Sequence, residues 1–442
     1  MALSPSRTAA FDILMRVEQG AFADELLHSE RLDDLAPVDR ALCTEIVMGV
    51  LRWRSRLDET IAGWSKTSPQ KLDPEVATAL RMGVYQLVHL ERIPVHAAVD
   101  QTVELVKRAG RRFSAPMVNA VMRKIAASKP SPPTSPEAEG SLDHLASATA
   151  HPRWLLQRWE AGYGLDATRQ IAHYDQNVPV PALHLRDARA ENDLRGEGVE
   201  LAPGELVAGA RRVISGDVTR TRAFAEGRAY LQDEASQLVA LLVGHGARIL
   251  DCCAAPGGKT SVIAERNPSS LVVATELHPA RARLMRRLVR AHNVSVIAAN
   301  AEALPLMPDF DRVLADVPCS GTGTLARNPE IKWRLRAEDL SKLHGRQVSI
   351  LRAALGYLVP GGRLVYSTCS LEREENDDVV AEVLAGRSDL SLLDCREELQ
   401  RHKDAGELVW DDLDSLLRRK FLRTLPGVHP CDGFFAAVIE HL

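Results

Sequence analysis

The sequence contains no run of about eighteen apolar residues, so no segment reads as a bilayer-spanning helix. Between Met1 and Phe11 no basic stretch precedes an apolar one, which argues against a secretory signal there. Cysteines number seven, an odd count, and none are spaced CxxC. That pattern argues against a disulfide framework and a structural zinc site, so no metal is expected, and free thiols point to the cytosol. Neither GxGxxG nor GxxxxGK[ST] occurs, which removes the dinucleotide fingerprint and the P-loop. An overall basic excess is also missing. The net charge is −4 and the pI about 6.4, so any contact with nucleic acid rests on a local patch.

What is present suits a globular chain of more than one domain. The sequence has 442 residues, 45% hydrophobic and 26% charged. Residues 1–128 carry only helical periodicity: Leu42, Ile46, Val47, Val50 and Leu51 share a face, as do Leu80, Val84, Leu87 and Val88, then Val99, Val103 and Val106. A helical bundle is expected there. Residues 129–148 are rich in Pro, Ser and Glu without an apolar period, and read as a linker. Residues 149–228 combine a helix near Trp154–Gly162 with strand-like pieces at Pro179–Arg186 and Glu205–Ile214, a small α+β segment. From 229 to 442 strands alternate with helices. Arg248–Leu250, Leu271–Thr275, Val294–Ala298, Phe310–Ala315 and Arg363–Tyr366 read as buried strands, and Phe434–Glu440 as a last one. Pro279–His292, Ala337–Leu358 and Arg373–Ala385 read as helices. Such alternation predicts a mostly parallel sheet covered on both faces.

In a doubly wound sheet the ligand lies beyond the carboxyl end of the first strand. That strand runs into Asp251-Cys-Cys-Ala-Ala-Pro-Gly-Gly-Lys-Thr260, where small residues let the backbone approach a ligand and helix amides face it. Glu276, at the end of the second strand, stands where a ribose-binding carboxylate belongs. Asn300, after the third, offers a polar group for an adenine. A pocket that keeps acids and lacks a phosphate-clamping Lys-Ser pair suits a sulfonium ligand. The fourth strand ends in Asp316-Val-Pro-Cys-Ser320 and the fifth in Ser367-Thr-Cys-Ser370.

Cys319 and Cys369 thus sit at strand ends beside a cofactor loop. Carbon 5 of cytosine is a poor nucleophile until a thiolate adds to carbon 6, and two strand-end cysteines suit that covalent route to a methyl acceptor. Either could attack. Asp316 could bond the cytosine edge. Cys43 and Cys395 read as buried structural cysteines, Cys252 as packed behind the first strand, and Cys431 has no assigned role.

The motifs CCAAPGGKT (252–260), DVPCSGTG (316–323), NPEIKWR (328–334), STCS (367–370) and DGFF (432–435), with YLQDEASQLVA (230–240), resemble the Sun or NOP2-type RNA cytosine-5 methyltransferases. RMGVYQLVHLERIPVHAAVDQTVELVKR (81–108) and VNAVMRKI (118–125) resemble the helical RNA-binding fold of the antitermination factor NusB. The resemblance spans nearly the whole chain and is weakest at 129–225 and 386–425. It implies an all-α NusB-like bundle followed by an α/β, Rossmann-like class I methyltransferase domain. It further implies an RNA-binding role for 149–228, S-adenosylmethionine as cofactor, and small-subunit (16S) rRNA as partner, at the cytosine-967 type of site. By position, Cys369 is implied as nucleophile, Cys319 as the residue that aids release, and Asp316 as catalytic. Cofactor contacts are implied at Cys253, Ala254, Ala255, Pro256, Gly257, Gly258, Lys259, Glu276, Asn300 and Asp316. Asn300 and Glu276 depart from the family's more usual Asp. No membrane is involved, and a monomer is expected.

Basic clusters at Arg52/Arg54/Arg56, Lys107/Arg108/Arg111/Arg112, Arg283/Arg286/Arg287/Arg290 and Arg418/Arg419/Lys420/Arg423 are candidate phosphate contacts, and Trp333 is a candidate stacking group. The competing readings are the same chemistry on tRNA or DNA, a non-catalytic rRNA-binding or assembly factor, and a nicotinamide oxidoreductase. Intact Cys319, Cys369 and Asp316 argue against the second, and the missing GxGxxG against the third.

Overall fold

Proline opens the helices Pro5–Glu18, Pro37–Arg52 and Pro74–His89, where its fixed φ suits the first turn and its missing N–H costs nothing. The computed structural model describes residues 3–29, 32, 34–128 and 141–442. They divide into two compact units: Met1–Val178 with Leu325–Arg334, and Pro179–Thr324 with Leu335–Leu442. No described helix is long and apolar enough to cross a membrane.

The first unit is helical. Pro74–His89 lies at its centre, buried continuously from Val76 to Gln86, because neighbouring helices cover every face. Gly83 permits a close approach: a Cβ there would stand 2.3 Å from the Thr102 hydroxyl oxygen. The expected faces pack as read, with Ile46, Val47, Val50, Leu51, Leu80, Val84, Val99 and Val106 in one core. Arg81 reaches into that core paired with Asp58 through bonds of 2.7 and 2.9 Å.

The segment expected to be a linker divides. Residues 129–140 lie outside the described residues, whereas Leu142–Ala148 is a helix, capped by the Ser141 hydroxyl and anchored by buried Leu145. Helices Arg153–Tyr163 and Leu165–Tyr174 follow and belong to the helical unit, so the α+β portion starts near Pro179 rather than at 149. Leu325–Arg334, lying between two strands of the larger sheet in the sequence, is also part of the helical unit.

The second unit contains two sheets. Strands β1 (Ala182–Leu185), β2 (Glu200–Pro203), β3 (Ala210–Ser215) and β4 (Ala229–Leu231) form an antiparallel sheet in the order β2-β3-β1-β4. Helices Ala188–Gly196 and Arg222–Ala225 interrupt the strands to give a βαββαβ succession. Leu183 faces those helices in a small core with Leu194 and Val213. Its neighbour His184 points the other way and bonds Glu265 at 2.7 Å, so that face packs on the helix Gly258–Arg266.

The larger sheet has nine strands: β5 (Arg248–Asp251), β6 (Leu271–Glu276), β7 (Val294–Ala298), β8 (Phe310–Asp316), β9 (Leu358–Thr368), β10 (Leu390–Leu392), β11 (Leu417–Arg418), β12 (Phe421–Arg423) and β13 (Phe435–His441). The run β7-β6-β5-β8-β9 is parallel, and β13 lies antiparallel beside β9 with β12 and β10 on it. Two apolar layers sandwich the sheet. Leu238, Val262, Ile263, Ile249 and Leu314 build one; Val348, Leu351, Leu250, Val313 and Tyr366 build the other. Burial on both faces is why the central strands read as short apolar stretches such as Ile249-Leu250 and Val313-Leu314-Ala315. The carboxyl ends of β5, β6, β7, β8 and β9 therefore share one edge.

Candidate active site

The loop after β5 is held to both neighbouring strands. The Cys252 N–H donates to the Leu314 carbonyl at 2.9 Å and the Ala254 N–H to the Thr275 carbonyl at 2.8 Å. The Ala255–Pro256 bond is cis. Gly257 has φ +109°, and a Cβ there would lie 2.4 Å from Val289 Cγ2, so only glycine fits at the entry to the helix Gly258–Arg266. Buried Asp251 accepts the Thr260 hydroxyl at 2.7 Å, and burial, with Asp316 nearby, pushes its carboxyl up to about 7.

Glu276 closes β6 with a buried side chain. Oε1 accepts the His278 N–H at 2.9 Å, and Oε2 lies 3.8 Å from Arg281. Asn300 follows β7, exposed, and its carboxamide oxygen accepts the Glu302 N–H at 3.1 Å within its own turn. At the end of β8, Asp316 accepts Lys259 Nζ at 2.8 Å and the Ser367 hydroxyl of β9 at 2.6 Å. Burial works to lower the Lys259 ammonium, but Asp316, and then Cys369 and Asp251, outweigh it and hold it above the usual lysine range. Its Nζ also lies 4.7 Å from the centre of the Phe434 ring.

Cys319 and Cys369, brought together by adjacent parallel strands, stand with their sulfurs 3.3 Å apart. The Cys319 thiol is pushed well up by its bond to Cys369, then by burial and the charges of Cys369 and Glu375. Cys253 is pushed up as well, by burial and by Asp251, Asp316 and Glu276. Gly323 links the loops: its N–H donates to the Cys369 carbonyl at 2.9 Å and its carbonyl accepts the Gly433 N–H at 2.7 Å. A Cβ on Gly323 would stand 2.2 Å from the Gly433 carbonyl oxygen, which explains a glycine in each of the two motifs.

The edge therefore carries carboxyl groups at Asp251, Glu276 and Asp316, and the cation at the loop, Lys259, is already paired. That donor set suits a ribose and a positively charged sulfonium and is poorly suited to a pyrophosphate.

Some expected residues lie elsewhere. Trp333 belongs to the helical unit, where its indole N–H donates to the Leu51 carbonyl at 2.6 Å. Arg52 is buried there and donates to the Ala326 carbonyl, while Arg54 pairs with Glu18 and Arg56 with Glu59. These three are internal ties and short pairs, not an open basic patch. Lys107, Arg108 and Arg111 are likewise paired, with Glu104, Asp12 and Glu75. Arg423 is buried and donates to the Ser370 carbonyl at 3.1 Å. Cys43, Cys252, Cys395 and Cys431 are buried. Glu375, unremarked in the sequence among three consecutive charged neighbours, is fully buried and bonded to both cysteine-bearing loops.

Residues 238–440 match the model of the family described as 16S rRNA methyltransferase RsmB/F, and residues 4–127 that of the NusB family. The chain is 33% identical to a Bacillus subtilis (strain 168) protein described as a probable ribosomal RNA small subunit methyltransferase B, over 97% of each chain. It is 33% identical to the ribosomal RNA small subunit methyltransferase B of Vibrio vulnificus (strain YJ016), over 98% of each. The crystal structure of PH0851 shares the fold with a TM-score of 0.80 at 22% identity, covering 100% of this chain and 99% of that one.

Proposed function

The chain belongs to the 16S rRNA methyltransferase RsmB/F family, and on that premise we propose that it methylates carbon 5 of a cytosine in small-subunit rRNA, with S-adenosylmethionine as donor. A site of the cytosine-967 type is the expected target. The observation that carries this reading is the thiol pair, 3.3 Å apart, at the strand edge that also holds the Lys259–Asp316 pair.

When bound, S-adenosylmethionine supplies an electrophilic methyl group on a sulfonium. Glu276 would take the ribose hydroxyls, Asn300 the adenine, and the loop Cys253–Lys259 together with Asp316 the remaining contacts. Cys369 adds to carbon 6 of the cytosine as its thiolate, and the carbon 5–carbon 6 electron pair moves onto carbon 5. Asp316, fixed by Lys259 and Ser367, holds the ring-nitrogen edge during that addition. Carbon 5 takes the methyl group and loses its proton to a base. The returning electron pair expels the Cys369 sulfur, and Cys319 assists this release. A target within a helix has to be unstacked to reach the edge.

The test is transfer of labelled methyl to protein-free 16S rRNA lacking the modification, with the product position mapped. One cytosine gaining a carbon 5 methyl is expected. Cys369→Ala abolishes transfer, and Cys319→Ala accumulates a covalent RNA–protein adduct. Incorporation into tRNA or DNA alone would overturn the substrate, and normal turnover of Cys319→Ala without adduct would overturn the two-thiol scheme.

A further inference from the structure

Glu375 takes no part in the steps above, yet its carboxylate meets the loops that bear both thiols. Oε1 accepts the Ser320 N–H at 2.8 Å and the Gln347 amide at 2.8 Å. Oε2 accepts the Ser370 hydroxyl at 2.5 Å and, in a still shorter bond, the Ser320 hydroxyl. Ser320 follows Cys319, and Ser370 follows Cys369. Gln347 also donates to the carbonyl of Pro318, the residue before Cys319, at 3.0 Å. The side chain is fully enclosed, and among the described residues no lysine, arginine or histidine forms an ion pair with it. Four donors on an acceptor-only group fill its bonding capacity, so it sits where both loops must come to satisfy it.

The charges around the two thiols differ in kind. Cys369 lies in the field of the Lys259 ammonium, whereas Cys319 lies in that of the Glu375 carboxylate.

We propose that Glu375 is the positioning residue that makes the two thiols unequal: it ties the residue after each cysteine to one buried charge, sets their spacing, and keeps Cys319 as the protonated partner of Cys369. The Cys319 thiol is pushed up first by its bond to Cys369 and by burial, and the Glu375 charge adds to that push. The proposal rests on the reading of Cys369 as attacking and Cys319 as releasing, and it deepens that reading.

Alkylation by iodoacetamide, followed residue by residue with mass spectrometry across pH, tests it on the full chain without RNA. In the natural protein Cys369 reacts ahead of Cys319. Glu375→Gln, which keeps the shape but removes the charge, raises the Cys319-to-Cys369 reactivity ratio about tenfold and moves the Cys319 profile to lower pH. In methyl transfer the same variant loses kcat far more than it changes KM for S-adenosylmethionine, and Glu375→Asp recovers part of kcat. An unchanged ratio overturns the proposal even if activity falls, because loss of packing alone would give that result. Should Glu375→Gln fail to fold, Ser320→Ala decides: a ratio raised about threefold supports the tie, and an unchanged ratio overturns it. The thiol measurement stands apart from the RNA chemistry. A changed ratio with active Cys369→Ala would therefore sink the attacking-thiol reading and leave the positioning role of Glu375 intact.

Discussion

Each of the two units encloses a lysine, and the two are treated oppositely. Lys332, in the helical unit, is 2% exposed; its Nζ donates to the Arg52 carbonyl at 2.9 Å and lies 5.4 Å from the Trp333 ring centre. Burial lowers it to about 7, with Asp175 opposing and the Arg52 guanidinium adding to the fall; buried His151 feels its charge in turn. Lys259, in the catalytic unit, is largely buried too, but Asp316 lies 2.8 Å away and the net shift is upward. Burial disfavours the ammonium in both places, and a directly bonded carboxylate reverses the outcome in one. Lys332 thus ties Leu325–Arg334 into a helical core, whereas Lys259 orients an acid at the strand edge.

The sharpest way to break this comparison is to remove each charge while keeping the stem. Lys259→Met frees Asp316 from its cation and lowers single-turnover methyl transfer about 100- to 1,000-fold, as expected if Asp316 has the role proposed for it. Labelled methyl incorporation into 16S rRNA at saturating donor measures this. A variant that keeps more than about a tenth of the rate would remove Lys259 from the reaction group.

Lys332→Met is expected to behave in the opposite way. Rate at a permissive temperature stays within about twofold, while stability falls by about 2 kcal/mol at pH 8, because the Arg52 carbonyl loses its buried donor. For a unit of this size that corresponds to a melting shift of about 4–8 °C in calorimetry. Lost activity at full stability would make the two lysines alike and defeat the contrast.

The two units also differed in how far their sequences could be read. The parallel strands announced themselves as short apolar runs because both sheet faces are covered, and β5, β6, β7 and β8 fall within a residue of expectation. The strand ends then located Asp251, Glu276, Asp316, Cys319 and Cys369 on one edge. β9 is longer than its apolar run, since Pro360-Gly361-Gly362 has the composition of a turn and lies inside the strand, where the register with β8 shifts between Leu358 and Arg363. β2 and β4 were missed: three or four residues with little alternation carry no period. Leu142–Ala148 is masked by its neighbours' composition, and the Ser141 cap is its one local signal. Trp333 and Arg52 escape a sequence reading for a different reason. Their role depends on Leu325–Arg334 packing with helices some 280 residues earlier, and no local pattern encodes that. Glu375 shows the same limit, because acids in a row look solvated until the fold buries one.

The smallest expected effect is a pH slope, and its sign separates the lysines. Lys332 has a folded value of about 7 against an ordinary 10.5, so between those limits the unfolded chain holds a proton that the folded unit does not. Stability therefore rises with pH through that window, and below about pH 7 the penalty of charging the buried amine is present in full. Lys259 runs the other way: raised in the fold, its contribution is complete below 10.5 and is lost only as pH climbs through its higher folded value. Between pH 7 and 8 Lys259 is flat, while Lys332 adds about 1 kcal/mol. Urea unfolding of the natural chain and Lys332→Met at both pH values isolates the term, since other titrations cancel in the difference. The natural chain's advantage should grow by that amount at pH 8. If the difference is constant or shrinks, the amine is charged in the fold throughout, Asp175 pairs with it as Asp316 pairs with Lys259, and the two buried lysines are one case rather than two.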